Sequence, residues 1–143
     1  MKGEKKKMKE NDKIEVLYIE PMKKARFIEI GENLASMQET VGGMIEEYMP
    51  FEDEVAIVCN EEGKLRGMEL NRAIFNEDGN LQDIICGSFF ICYAPIDSER
   101  FMSFPEELKT KYEEKFRWPQ QFFRNGNEIT VRNLEPKETE MER

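Results

Sequence analysis

Histidine is absent from all 143 residues. That absence excludes the imidazole base of serine and cysteine triads and the histidine ligands of the usual zinc centres. Cysteine is scarce: Cys59, Cys86 and Cys92 include no Cys-x-x-Cys pair, cannot close a four-cysteine metal site, and are too few and odd in number for a disulfide framework. All three fall in apolar stretches, which predicts buried free thiols in a reducing cytoplasm. No glycine-rich phosphate loop of the Walker or dinucleotide type occurs. The longest apolar run, Phe89 to Ala94, spans six residues, where a membrane-crossing helix needs about twenty. The lysine-rich opening runs into Asn11, Asp12 and Lys13 rather than an apolar segment, so no secretory signal is expected.

Positive charge is also in short supply, with 21 Lys and Arg against 30 Asp and Glu and a net charge of −9. Residues 1–13 hold six lysines against Glu4, Glu10 and Asp12, a net +3, which leaves −12 on the remainder. Direct binding to duplex nucleic acid is not expected of so acidic a body, because phosphate recognition draws its affinity from clustered Lys and Arg. Residues 1–12 lack apolar periodicity and are expected to form a disordered basic tail, and residues 134–143 a flexible one. Between them, 39% hydrophobic content in a chain of this length predicts one domain over residues 13–133.

The order of elements predicts an α+β fold. Ile14 to Glu20 and Arg26 to Ile30 are β-rich segments separated by Pro21-Met22-Lys23-Lys24, the pattern of a hairpin. Asn33 is placed to cap a short helix with Leu34, Met37 and Val41 on one face, stopped by Gly42-Gly43. Met44 to Met49 and Glu54 to Asn60 read as the next two strands. Strand, strand, helix, strand, strand therefore opens a small antiparallel or mixed sheet. Glu62-Gly63 and Asp78-Gly79 each suggest a hairpin turn. Ile84 to Tyr93 reads as one central strand, bulged at Gly87-Ser88 and buried on both faces. Ser103-Phe104-Pro105-Glu106 has capping-box spacing, and Phe104, Leu108, Tyr112 and Phe116 form the stripe of a second helix packed on the sheet. Phe122-Phe123, Asn125-Gly126 and Ile129 to Val131 suggest a terminal hairpin across residues 119–133.

Three candidate sites emerge. Glu46, Glu47, Glu52, Asp53, Glu54, Glu61 and Glu62 precede the next basic residue, Lys64, and could attract a basic protein or imitate a phosphate backbone; an ordinary solvated edge is the plainer explanation. Asn60, Asn71 and Arg72 could grip a small ligand through its carboxylate or phosphate, or Arg72 could tie a loop to a neighbouring carboxylate. Asn76 to Asn80 superficially fits a calcium loop, but the ligand order does not, and a hairpin turn is expected. No metal or cofactor is expected. With so many carboxylates, a catalytic pair remains formally possible without any pair standing out, and a non-enzymatic chain is the expectation.

Five strings then acquire a meaning together. Tyr18-Ile19-Glu20-Pro21, Val41 to Glu46, Val58 to Lys64, Leu70-Asn71-Arg72-Ala73 and Gly87 to Ile91 resemble, in this order, the domain-of-unknown-function family DUF3846, over residues 13–116. The resemblance implies a setting among accessory proteins of phages, conjugative elements and their hosts, and carries no catalytic residue with it. The expected function is binding to a host or element-encoded protein with a basic surface, in one version as an acidic anti-defence inhibitor. The alternative is a small-ligand or nucleotide-binding module with its pocket near Asn60, Asn71 and Arg72.

Overall fold

The computed structural model describes residues 12–136, so residues 1–11 and 137–143 of the two expected tails lie outside the described residues; Leu134, counted in the second tail, donates its amide to the Pro119 carbonyl at 2.8 Å. Strands β1 (Lys13–Ile19) and β2 (Arg26–Gly31) form the expected hairpin, with Tyr18 opposite Arg26 and Ile14 opposite Ile30. Helix α1 (Leu34–Val41) follows, capped as expected: Asn33 accepts the Ser36 amide at 2.8 Å and Gly42 closes the helix at φ 83°. Its buried face is Met37 and Val41, whereas Leu34 stands 56% exposed. Leu34, expected on the same face, therefore does not join the core. Strands β3 (Ile45–Tyr48) and β4 (Val55–Asn60) complete the opening order.

Strands β5 (Leu70–Phe75) and β6 (Leu81–Cys86) form a separate two-stranded sheet, turned by Asn76 to Asn80. Asn76 Oδ1 accepts the amides of Asp78 and Asn80 at 3.0 and 2.9 Å, so this segment is a hairpin turn. Glu62-Gly63 is not one. It lies in a run of turns between β4 and β5, which belong to different sheets, and the left-handed residue there is Gly67.

Ile84 to Tyr93 is not a single bulged strand either. It divides into the end of β6 and strand β7 (Phe89–Tyr93), and the chain leaves one sheet for the other at Gly87. Gly87 has φ 83°, and a Cβ there would stand 2.7 Å from Met68 Sδ, so both backbone and space call for glycine. Strand β7 is the central strand of a five-stranded sheet in the order β2-β1-β7-β4-β3, with every pairing antiparallel.

Both faces of this sheet are covered, which is why β4 and β7 read as unbroken apolar runs. On one face Val16, Val58, Phe90 and Cys92 pack under Met37 and Val41 of α1. On the other Leu17, Ile57, Phe89 and Ile91 meet Ile74 and Ile85 of the β5–β6 sheet and Tyr112 and Phe116 of helix α2 (Glu106–Phe116). Helix α2 keeps Leu108, Tyr112 and Phe116 of its predicted stripe, whereas Phe104 lies ahead of the helix and the predicted cap is not formed. Pro105 is the N-cap residue and no side chain caps the helix, because the Ser103 hydroxyl accepts the Glu15 amide at 2.9 Å instead. Strands β8 (Gln120–Asn125) and β9 (Glu128–Asn133) form a last hairpin. Gln120 Oε1 accepts the Ala73 amide at 2.8 Å and so links that hairpin to β5. The chain is thus an α+β fold built on antiparallel sheets.

Ile91 is fully buried where β7 meets β1 and β4. Ile91→Ala should cost about 3 kcal/mol or more through lost burial and the cavity left behind. An unchanged denaturant midpoint would contradict this placement of the core.

Candidate functional site

Asn71 and Arg72 owe their positions to a β-bulge. Leu70 pairs with Cys86 and Arg72 with Ile85, so Asn71 is the extra residue on β5. Both side chains consequently enter the interior, Asn71 at 1% and Arg72 at 0% exposure. Arg72 Nε and Nη2 donate to the Phe116 carbonyl at 3.2 and 3.1 Å, and Nη2 also donates to the Lys23 carbonyl at 2.7 Å. Arg72 Nη1 donates to Asn71 Oδ1 at 2.9 Å and to the Asn71 carbonyl at 3.4 Å. Asn71 Nδ2 in turn donates to the carbonyls of Ile19 and Gly87 at 3.0 and 2.8 Å.

A guanidinium has five N–H donors, and these contacts engage all of them. None goes to a carboxylate, contrary to the expectation that Arg72 ties a loop to an acidic neighbour, and none remains for a ligand. Burial pulls the Arg72 pKa down to about 10, which still leaves it cationic at neutral pH. Its charge is met by the carbonyl of Phe116 at the negative, C-terminal end of α2.

Asn60 does not join this pair. It sits at the end of β4, where Nδ2 donates to the Val41 carbonyl at 3.2 Å and Oδ1 accepts the Glu62 amide at 2.8 Å. It fastens α1 to the sheet and shapes the following turn. The three residues expected around one ligand pocket thus lie in two separate places: Asn71 and Arg72 are structural, and Asn60, while bonded within the fold, also lines a cleft of about 370 Å³.

The seven acidic residues are also divided. Asp53 points inward, accepting from Lys111 Nζ at 2.6 Å and the Tyr112 hydroxyl at 2.8 Å, and these bonds hold its carboxyl below the usual carboxylate range. The same contact and burial raise the Tyr112 pKa, so the phenol stays neutral and donates. Glu54 Oε1 accepts the Ile96 amide at 3.2 Å. Glu46, Glu47, Glu52, Glu61 and Glu62 are exposed.

Glu46 and Glu47 are neighbours on β3 and so lie on opposite faces of the sheet. Each borders a different cleft. On the α1 face, a cleft of about 290 Å³ is lined by Glu47, Met49, Pro95, Ile96, Glu99 and Phe101. On the other face, one of about 370 Å³ is lined by Glu46, Glu61, Lys64, Leu65, Asp83 and Cys86. Their basic side chains are neutralised locally, Lys64 by Asp83 and Arg100, which also lines the first cleft, by a two-point contact to Glu32 at 2.7 Å. Burial pushes the Cys59 thiol up to about 11 and raises Cys86 as well, so neither is poised as a nucleophile.

The family model described as domain of unknown function (DUF3846) matches residues 14–117, well over half of the chain. The chain belongs to this family. No curated protein and no solved structure matches it significantly. The DUF3846 match spans β1 through α2, including the Arg72 contacts, and stops before the β8–β9 hairpin. Among the described residues no helix is long and apolar enough to cross a membrane. The sequence-level signal for the Arg72 role was present in the string Leu70-Asn71-Arg72-Ala73, but the bulge that turns Asn71 inward has no signature in residue types alone.

Arg72→Ala should destabilise the DUF3846 fold by about 4 kcal/mol, because it leaves buried acceptors unpaired and opens a cavity. Arg72→Lys should recover only part of that, since three donors on a point charge cannot reproduce a five-donor fork. Full recovery in denaturant titration would show that charge alone matters there.

Asp53 supplies a pH test. Its carboxyl pKa is lowered in the folded state, so its contribution is present above the unfolded value of about 3.9 and is lost as pH falls through the folded value. Wild type should lose stability below about pH 4 more steeply than Asp53→Asn does. Parallel acid limbs in thermal melts would contradict the inward role of Asp53.

Proposed function

We propose that this DUF3846 protein is a non-catalytic accessory protein of a phage or mobile element that acts in the cytoplasm by binding a protein with a basic surface. The observation that supports this reading is the state of the glutamates around β3. Glu46, Glu47, Glu52, Glu54, Glu61 and Glu62 are exposed and form no ion pair among the described residues. Glu15, Glu20, Glu32, Asp83 and Glu113, by contrast, are neutralised by Lys or Arg. Unneutralised charge at one end of a sheet raises the local concentration of cationic partners and speeds productive encounter. An anti-defence inhibitor that imitates a phosphate backbone is one form such a protein could take. The small-molecule reading is less well supported, since Arg72 and Asn71 are spent on the fold and of its three residues Asn60 alone lines a cleft.

Charge reversal tests the reading with whatever basic protein co-purifies from a native host. Glu46→Lys, Glu47→Lys, Glu52→Lys and Glu54→Lys together should slow association at least tenfold at low salt and flatten its dependence on ionic strength. Glu107→Lys with Glu114→Lys, two exposed positions on α2 without an ion pair among the described residues, should change little. If both sets leave the association rate alone, β3 and its surroundings are only a solvated edge.

A further inference from the structure

Strand β3 is the outermost strand of the five-stranded sheet, paired on one side by β4 and on the other by nothing among the described residues. Its hydrogen-bonding phase follows from one contact. The Met44 carbonyl accepts the Glu61 amide at 2.9 Å, and the register continues with Glu46 opposite Cys59 and Tyr48 opposite Ile57. Bonded and non-bonded pairs alternate along an antiparallel ladder, so the backbone groups of Met44, Glu46 and Tyr48 face β4. Those of Ile45 and Glu47 face outward.

An open row of amides and carbonyls is a template for another extended chain. Here it is bracketed by exposed Met44 and Met49, at 59% and 46%, and flanked by a cleft on each face. A strand laid against β3 would send alternate side chains to those two faces.

We propose that the outer edge of β3 takes up an extended, lysine- or arginine-rich segment of a partner protein by strand addition, with alternate basic side chains entering the two clefts. This rests on the reading of the protein as a binder of basic proteins and adds how the partner is held. Backbone pairing with Ile45 and Glu47 supplies the affinity common to any strand. The clefts supply the preference for basic residues: Glu47 and Glu99 line one and Glu46 and Glu61 the other, and none of the four is ion-paired among the described residues. A second copy of this chain does not suit the edge, because pairing β3 with itself would bring Glu46 and Glu47 against like charges. The same glutamates that repel a homotypic strand select a cationic one.

The test uses the full chain and an acetylated, amidated Lys-Lys-Val-Lys-Lys-Val-Lys peptide, which offers lysine on both faces of a strand. Its partner is the same peptide N-methylated throughout, which keeps the charge and removes the backbone donors. Calorimetry at low salt should give at least tenfold weaker binding for the methylated peptide. Glu47→Gln with Glu99→Gln should weaken the unmethylated peptide severalfold, and Glu46→Gln with Glu61→Gln should do the same. Equal, salt-sensitive binding of both peptides would overturn strand addition while leaving the acidic-surface reading intact. No binding of either peptide at low salt would overturn both.

Discussion

The guanidinium of Arg72 is the contact on which the rest of the arrangement depends. Through its own bonds and those of Asn71 it joins the turn after β1, the end of β1, the link between β6 and β7 at Gly87 and the C-terminus of α2. Apolar contact between the β5–β6 sheet, α2 and the five-stranded sheet is strong but does not fix direction; Arg72 adds directed bonds from the interior to those that Lys109–Glu15 and Tyr112–Asp53 make nearer the surface. A buried cation with no carboxylate partner is costly unless every donor is engaged. Here every donor is, and the carbonyls of Phe116 at the end of α2, Lys23 and Asn71 take the place of a counter-ion. The turn that presents the Lys23 carbonyl carries a cost of its own, since Met22 holds φ 64° where a glycine would ordinarily sit.

With both faces of the main sheet covered, what remains for interaction is its rim. The α1 face is closed by a helix of eight residues and by the segment around Phe101, and the opposite face by α2 and the β5–β6 sheet. Strand β3 is then a short, charged border whose outer backbone is unpaired among the described residues. Acidic side chains on such a border protect against self-association and, in doing so, define the kind of chain that can still approach. The proposed function and the proposed mode of binding both grow from that one consequence of the topology.

Local signals carried most of the fold. The hairpin of β1 and β2, the Asn33 cap, the α2 stripe and the burial of Phe89 to Cys92 were legible because each rests on periodicity or on a residue type with a specific local task. Gly87 was legible as an interruption but not as a change of sheet, since one glycine serves a bulge and a crossover alike. The capping box failed at Ser103 because a distant strand, β1, offered the hydroxyl a different donor. At the candidate site, clustering of Asn60, Asn71 and Arg72 could not be separated from structural use, because polar residues recruited to satisfy backbone groups look like polar residues recruited for ligands. Two things about the acidic run were not legible: adjacent positions on a strand face opposite ways, and Asp53 turns to Lys111 and Tyr112.

The claim that matters most is that β3 offers its outward backbone to a cationic strand, and residue-resolved amide exchange by nuclear magnetic resonance tests it directly. In the free protein the amides of Ile45 and Glu47 should exchange much faster than those of Glu46 and Tyr48, which face β4. On saturation with the lysine-rich peptide, protection should rise at Ile45 and Glu47 while Glu46 and Tyr48 change little. Fast exchange at Ile45 and Glu47 that persists in the bound state, with protection appearing elsewhere, would contradict the account.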